Sequence, residues 1–173
     1  MSFNIIYVIT YIFLYYFIIT MENTNTLIFT DTNIAIILSI VAIATFLYDV
    51  IVSDVHDCLE NVTDKKNYIL IVLITLFHHF LSVFGLFGWL FNNKKLLLLY
   101  IFLVVATVIQ WKILHGQCMV TKSVAILSDN PDYKRFNDVY KILGLKKFIP
   151  SRILYYGSLS IFILIALYKI FIK

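Results

Sequence analysis

The sequence predicts an all-α fold, a transmembrane bundle of four to five helical spans, because of its composition and its charge distribution. Apolar residues make up 61% of the 173 residues, and the mean hydropathy is +0.90. Soluble domains have about 45–50% apolar residues, so a water-soluble fold would leave too much apolar surface exposed. Charged residues make up 14% of the chain and lie mostly between long apolar stretches. Lipid is therefore the expected solvent.

Five apolar stretches have the composition of spanning helices, although the first is short. A helix needs about 20 apolar residues to cross a hydrocarbon core of about 30 Å, with its peptide groups paired internally. The predicted spans are 5–20, 34–52, 68–91, 96–114 and 153–172. We interpret residues 1–173 as a single membrane domain.

The first stretch, 5–20, precedes Met21, which is a second candidate start of translation. Its flanks differ from those of a cleaved signal peptide, because Met1–Asn4 has no side-chain cation and Ile18–Thr20 is a poor cleavage site. We therefore expect an uncleaved anchor where the segment is retained.

Polar residues mark two boundaries of the spans. Asp31, Thr32 and Asn33 have N-capping side chains just before the second span. Residues 92–95 are the whole connection between the third and fourth spans. Such a short connection predicts a tight turn between antiparallel helices.

Lysine and arginine residues predict the orientation. Loops 53–67 and 115–152 lie on one side of the predicted bundle and hold most of these cations. The positive-inside rule puts that side in the cytoplasm.

The cytoplasmic loop 115–152 contains apolar residues near helical spacing, with cations among them: Phe136, Val139, Tyr140, Ile142 and Leu143. This pattern predicts a short interfacial helix that lies on the membrane surface. A connector whose apolar side packs on the bundle is an equally open alternative.

His78 and His79 lie near the middle of the third span, where polar side chains are costly. Helical spacing puts them on one broad stripe with Ser82, so this face should turn toward other helices. Together with Thr107 and Gln110 of the fourth span, they form a candidate intramembrane polar site.

Three interpretations of these histidines stay open. They are a proton relay or ligand site, axial ligands of a haem, or neutral side chains that hydrogen-bond between packed helices. His115 lies beyond the fourth span, too far away to serve with His78 as a second haem ligand.

Histidine and cysteine side chains follow the second and the fourth predicted spans. His56, Cys58, His115 and Cys118 would suit a tetrahedral zinc site, although their spacing is unusual. A Cys58–Cys118 disulfide and two ordinary loop cysteines are the alternatives.

Acidic residues cluster around the cytoplasmic end of the second span: Asp49, Asp54, Asp57 and Glu60. A divalent cation is one interpretation. Solvated acids that Lys65 and Lys66 neutralise are the simpler one.

Five different short motifs lie between residue 78 and residue 121: His78-His79-Phe80, Phe84-Gly85, Gly88-Trp89, Gln110-Trp111 and Cys118-x-x-Thr121. With Trp111, Cys118 and Thr121 in these positions, the segment resembles small multi-pass membrane proteins of unknown function that large DNA viruses of protists encode. The resemblance implies a protein of a viral or host-derived bilayer and no known reaction. Related families carry an acid after the Cys-x-x-Thr pattern, whereas this chain has Lys122 and Ser123.

The sequence has no nucleophile elbow, P-loop, His-Glu-x-x-His or dinucleotide fingerprint, so we do not expect an enzyme. It also has no basic tract with interleaved aromatics, so nucleic acid is not an expected partner. The leading hypothesis is a structural or scaffolding protein of a viral, organellar or host membrane, with the bilayer and other subunits of a homo- or hetero-oligomer as partners. The alternatives are a small transporter, channel or proton-linked protein with a His-lined polar path, and a haem- or metal-binding redox protein. No cofactor is predicted, and haem and zinc belong to the alternatives.

Overall fold

A computed structural model of the chain describes residues 30–52, 54–115, 118–130, 133, 139–142 and 153–172. In these ranges the chain forms helices and no strands, which confirms the all-α prediction. The helices are α1 (Asp31–Val52), α2 (Asp54–Asn61), α3 (Lys65–Phe87), α4 (Lys94–Ile113), α5 (Met119–Leu127), α6 (Val139–Ile142) and α7 (Ser158–Phe171). A 3-10 turn, Gly88–Leu90, extends α3, and a π-helical turn, Ile153–Gly157, leads into α7.

Four helical segments in the described ranges are long and apolar enough to cross a membrane: Asp31–Val52, Lys65–Leu90, Lys94–Ile113 and Ile153–Phe171. They coincide with the predicted spans 34–52, 68–91, 96–114 and 153–172, apart from small shifts at the ends. The predicted span 5–20 lies outside the described residues.

Large apolar side chains cover the outer faces of these segments. Ile40 on α1, Phe102 on α4 and Leu164 on α7 are 61%, 68% and 65% exposed. Exposure of such apolar surface to water costs about 25 cal/mol per Å², whereas contact with acyl chains avoids this cost. The exterior of the bundle is therefore that of an integral membrane protein.

α3 is the central helix and packs against α1, α4 and α7, while α4 and α7 pack on each other. At the start of α1, Thr30 Oγ1 accepts a hydrogen bond from the backbone N–H of Asn33. Asp31, predicted as part of this cap, instead accepts from the backbone N–H groups of Asn92 and Asn93. These bonds hold the start of α1 against the turn that follows α3, so α1 and α3 run antiparallel.

Side-chain caps also begin the next two spans. Asp64 Oδ1 accepts from the backbone N–H of Lys66 at 3.0 Å and begins α3. Asn93 Oδ1 accepts from the backbone N–H of Lys95 at 2.9 Å and begins α4. The predicted tight turn between α3 and α4 is present.

A second apolar cluster lies where α1 ends and α3 begins, and α2 and α5 contribute most of it. Its buried members are Val55, Cys58, Leu59, Ile71, Val124 and Tyr133. We call α2 and α5 the cap. The sequence predicts polar connectors here, whereas the structure has helices, because each segment has an apolar face that packs toward Ile71.

The predicted interfacial segment is described only at the single turn α6 and at Tyr133. Tyr140 in this turn is buried, contacts the ring of Tyr155 edge to face, and shares a hydrogen bond with Ser158. At this turn the apolar side chain packs on the bundle. Phe136 and Leu143 lie outside the described residues.

Candidate intramembrane polar site

The interface between α1 and α3 is mostly apolar, and its buried polar side chains lie within about one helical turn of one another. α3 buries a stripe of side chains at helical spacing: Ile71, Thr75, His79, Val83 and Leu86. α1 buries the matching stripe: Ile34, Leu38, Ala42 and Asp49. The polar members of the two stripes meet at Asp49 and His79.

Asp49 and His79 form a buried pair with 0% and 1% of their side-chain surface exposed. His79 Nε2 lies 3.1 Å from Asp49 Oδ2. His79 Nδ1 lies 3.1 Å from Thr45 Oγ1, one turn before Asp49 on α1. Both ring nitrogens are thus engaged by α1, which weighs against the haem interpretation at His79.

The pair lies inside the span and away from both ends of α3. At 1.5 Å per residue, His79 is about 21 Å along the helix from Lys65 and about 16 Å from Leu90. The ring of Phe46 contacts His79 edge to face at 6.3 Å. The ring of His78 does so at 5.9 Å. An acid and an imidazole are therefore held together in apolar surroundings.

Counting hydrogens at this pair leaves one proton to share. The Thr45 hydroxyl donates to the backbone carbonyls of Val41 and Ala42, each at 3.0 Å. In the tautomer in which His79 Nδ1–H donates to the Thr45 oxygen, Nε2 and the Asp49 carboxyl share one proton. In that tautomer the pair has two forms, imidazolium with carboxylate and neutral imidazole with carboxylic acid. Both forms have zero net charge.

Thr75 adds a further polar group to the same buried stripe, one turn from His79. Its side chain is 0% exposed. Its hydroxyl has no hydrogen-bond partner among the described residues. Buried hydroxyls almost always have a partner, so this group marks the interface as incomplete.

The other residues of the predicted polar site have different surroundings. His78 is half-buried, and its Nε2 shares a hydrogen bond with Ser82 at 3.3 Å. Thr107 donates to the carbonyl of Leu103 at 2.8 Å, within its own helix α4. Gln110 is half-buried near the end of α4. The structure thus joins His78 to Ser82, and it joins His79 to α1.

Sequence reasoning missed Asp49 and Thr45 as the partners of His79. From the sequence, Asp49 belongs with the acids near the membrane surface, because it lies three residues before the end of α1. The available signal was its spacing, because Asp49 follows Ala42 by seven residues and so lies on the same helical face.

The predicted zinc ligands lie on two sides of the cap. On the outer face of α2, His56 lies 3.6 Å from both Asp57 and Glu60. Cys58 is buried in the second cluster, where Asn130 donates to its sulfur at 3.6 Å. Among the described residues, the group of three potential metal ligands that lie within reach of one another is His56, Asp57 and Glu60.

The remaining predicted ligands and motif residues lie near the end of α4 and in α5. His115 is exposed and has a φ of 53°. Cys118 precedes the first residue of α5, and no disulfide joins it to Cys58, although both are described. Thr121 is buried on α5. Trp111 on α4 contacts the ring of Tyr155.

Comparison with known proteins adds nothing to this geometry. No family model, curated protein or solved structure matches the chain. The resemblance to viral membrane proteins therefore stays a prediction, and the candidate function is argued from the site.

Proposed function

We propose that this chain is a proton-linked membrane protein in which Asp49 and His79 are the proton-binding site. The observation that supports this function is their fully buried contact between two spans. Ionisable residues are rare inside spans because they are costly there, and where they occur they commonly mark ion paths and proton relays.

The shared proton makes the pair responsive to proton binding and release. With one proton the pair is neutral, which suits an apolar interface. A second proton makes it cationic, and loss of the proton makes it anionic. Either change places an uncompensated charge between α1 and α3, which favours separation of the two helices or entry of water.

This response fits a small transporter, a channel or a protein whose conformation follows pH. The pair joins two different spans, so its charge acts directly on how they pack. His78, Ser82, Thr107 and Gln110 remain the proposed continuation of a polar path. The membrane itself is proposed to be viral or host-derived, with the cation-rich loops in the cytoplasm and with other subunits as partners.

The test is proton flux into sealed liposomes that contain purified protein and an internal pH dye. An imposed pH gradient and a membrane potential drive the protons. We expect wild-type protein to raise the flux above that of empty liposomes. Asp49→Asn and His79→Leu should each lower it by about one order of magnitude or more, as loss of a proton-transfer group does.

Asp57→Asn is the matched control, because it makes the same change in an exposed carboxylate on α2. It should leave the flux at the wild-type value. Equal flux from wild-type protein, Asp49→Asn and empty liposomes would refute the proposal. With folding intact, that outcome would favour the structural role predicted from the sequence.

A further inference from the structure

The buried Thr75 hydroxyl lies on the side of the pair that faces the cap. His79 contacts both Thr45 and Asp49. Thr75 lies one turn before His79 on α3. Since α1 and α3 are antiparallel, this position is nearer than His79 to the end of α1, on the Asp49 side and away from Thr45. Thr75 is therefore beside the acid, not on the side of the apolar core.

We infer that Thr75 and Asp49 bind a buried water molecule, which connects the pair to the cap end of the bundle. A buried hydroxyl without a partner is costly. A buried water needs two to four polar partners. The Thr75 hydroxyl, the Asp49 carboxyl and the neighbouring helix carbonyls provide such groups.

The two sides of the pair differ in chemistry. Toward the start of α1, the buried neighbours are apolar: Ala42, Leu38, Val83 and Leu86. Toward the cap come the Thr75 hydroxyl and then Ile71, which the second cluster covers. Thr121 of α5 brings another buried hydroxyl to the cap. We place the route of water on the cap side because Thr75 and Thr121 add hydroxyls there, and passage of water requires the apolar contacts around Ile71 to open.

This inference rests on the proposed function only for the role of the water. In that role a hydronium ion at Thr75 gives a proton to an Asp49 carboxylate oxygen, which leaves neutral water and a carboxylic acid. Titratable groups that contact His79 within the described part of the chain include Asp49 on α1 and His78 on α3. No electron transfer and no metal are involved.

The water is tested by thiol labelling of Thr75→Cys in liposomes, in a chain with Cys58→Ser and Cys118→Ser. Val83→Cys is the matched control, because Val83 is 1% exposed and lies on the same stripe of α3, two turns away. With a small water-soluble methanethiosulfonate, Thr75→Cys should react at least about tenfold faster than Val83→Cys, because a thiol must meet water to form the reactive thiolate.

Sidedness and the hydroxyl itself give two further readouts. A charged, impermeant methanethiosulfonate should modify Thr75→Cys only from the cap side. Thr75→Ser should keep the proton flux, whereas Thr75→Val, which keeps the shape but loses the hydroxyl, should lower it about fivefold or more.

The outcomes separate this inference from the proposed function. Equal, slow labelling of Thr75→Cys and Val83→Cys would overturn the water site even if wild-type protein conducts protons. Labelling from the opposite side would overturn the cap-side route. Fast labelling in a protein without proton flux would retain the water site and refute the proposed function.

Discussion

The carboxylate of Asp31 at the start of α1 accepts the backbone N–H of Asn92 at 2.7 Å, across 61 residues of sequence. Its second oxygen accepts the backbone N–H of Asn93 at 3.0 Å. This contact fixes one end of α1 to the turn between α3 and α4. The Asp49–His79 contact fixes the other end, so the register of the two helices is determined at two polar points.

Asp31→Ala should destabilise the bundle, because two backbone N–H groups of the turn lose a charged acceptor. We expect the free energy of unfolding to fall by about 1.5–3 kcal/mol, as for other hydrogen bonds to charged groups. Thermal unfolding in detergent micelles, followed by circular dichroism, measures this change. Asp57→Ala, an exposed acid on α2, should have little effect. Equal effects of the two substitutions would show that the Asp31 contact contributes nothing.

Removal of one member of the Asp49–His79 pair should cost more than removal of both. His79→Leu leaves the Asp49 carboxyl group buried without the imidazole, and Asp49→Leu leaves the imidazole without its acid. Each should lower the free energy of unfolding by about 2–3 kcal/mol. The double variant with leucine at both positions should recover most of the loss, because an apolar pair suits this interface. A double variant whose loss equals the sum of the two single losses would contradict a direct interaction between these residues.

The four spans were predictable from the sequence because each depends on local composition alone. A run of about 20 apolar residues needs no knowledge of its neighbours to be recognised. The cap was not predictable in the same way. α2 and α5 are short, so their apolar faces are hard to recognise from the sequence alone. These faces are evident in the structure, where they pack against Ile71.

Only the His79 half of the candidate site was predictable from the sequence, because the sequence marks a histidine inside a span but does not identify its partner. The cost of a histidine in the middle of a span indicates that it needs a partner, and this singles out His79. The identity of the partner depends on how far α1 and α3 slide past each other. In the register that α1 and α3 adopt, Asp49 lies beside the middle of α3. The first turns of α3 then pack against the cap.

Gly88→Ala should disturb the contact between α3 and α4. A Cβ atom at Gly88 would lie 2.5 Å from Cδ2 of Tyr100, whose side chain is fully buried. The backbone at Gly88 has a φ of −63°, so the expected cost comes from packing and not from conformation. We expect a loss of about 1–3 kcal/mol in the free energy of unfolding, measured by thermal unfolding in detergent.

Gly85→Ala is the control for this substitution. Apart from its chain neighbours and the backbone of its own helix, no atom of the described residues lies within 4 Å of the position that a Cβ would take at Gly85. Alanine is favoured over glycine inside a helix by about 1 kcal/mol, so Gly85→Ala should leave the stability unchanged or raise it. If both glycine substitutions had the same effect, the close approach of Tyr100 to Gly88 would not be the cause.

Lys169 of α7 should stabilise the end of α3. Its Nζ donates to the backbone carbonyls of Trp89 and Leu90 at 3.1 Å and of Phe91 at 3.2 Å. Carbonyls at a helix end lack intrahelical donors, and a cation there is favourable. Lys169→Met keeps the length of the side chain but loses the donors, so the free energy of unfolding should fall by about 1–2 kcal/mol.

A second readout of this change is the fluorescence of Trp89, whose ring stacks on Phe162 of α7 at 5.3 Å. The chain has 2 tryptophans, so Trp111→Phe isolates the signal. In that background Lys169→Met should shift the emission to longer wavelength, because α7 no longer holds the indole in its apolar contact. Lys94→Met removes an exposed cation at the start of α4 and should not shift it. An identical spectrum for both variants would mean that the three carbonyls are held without Lys169.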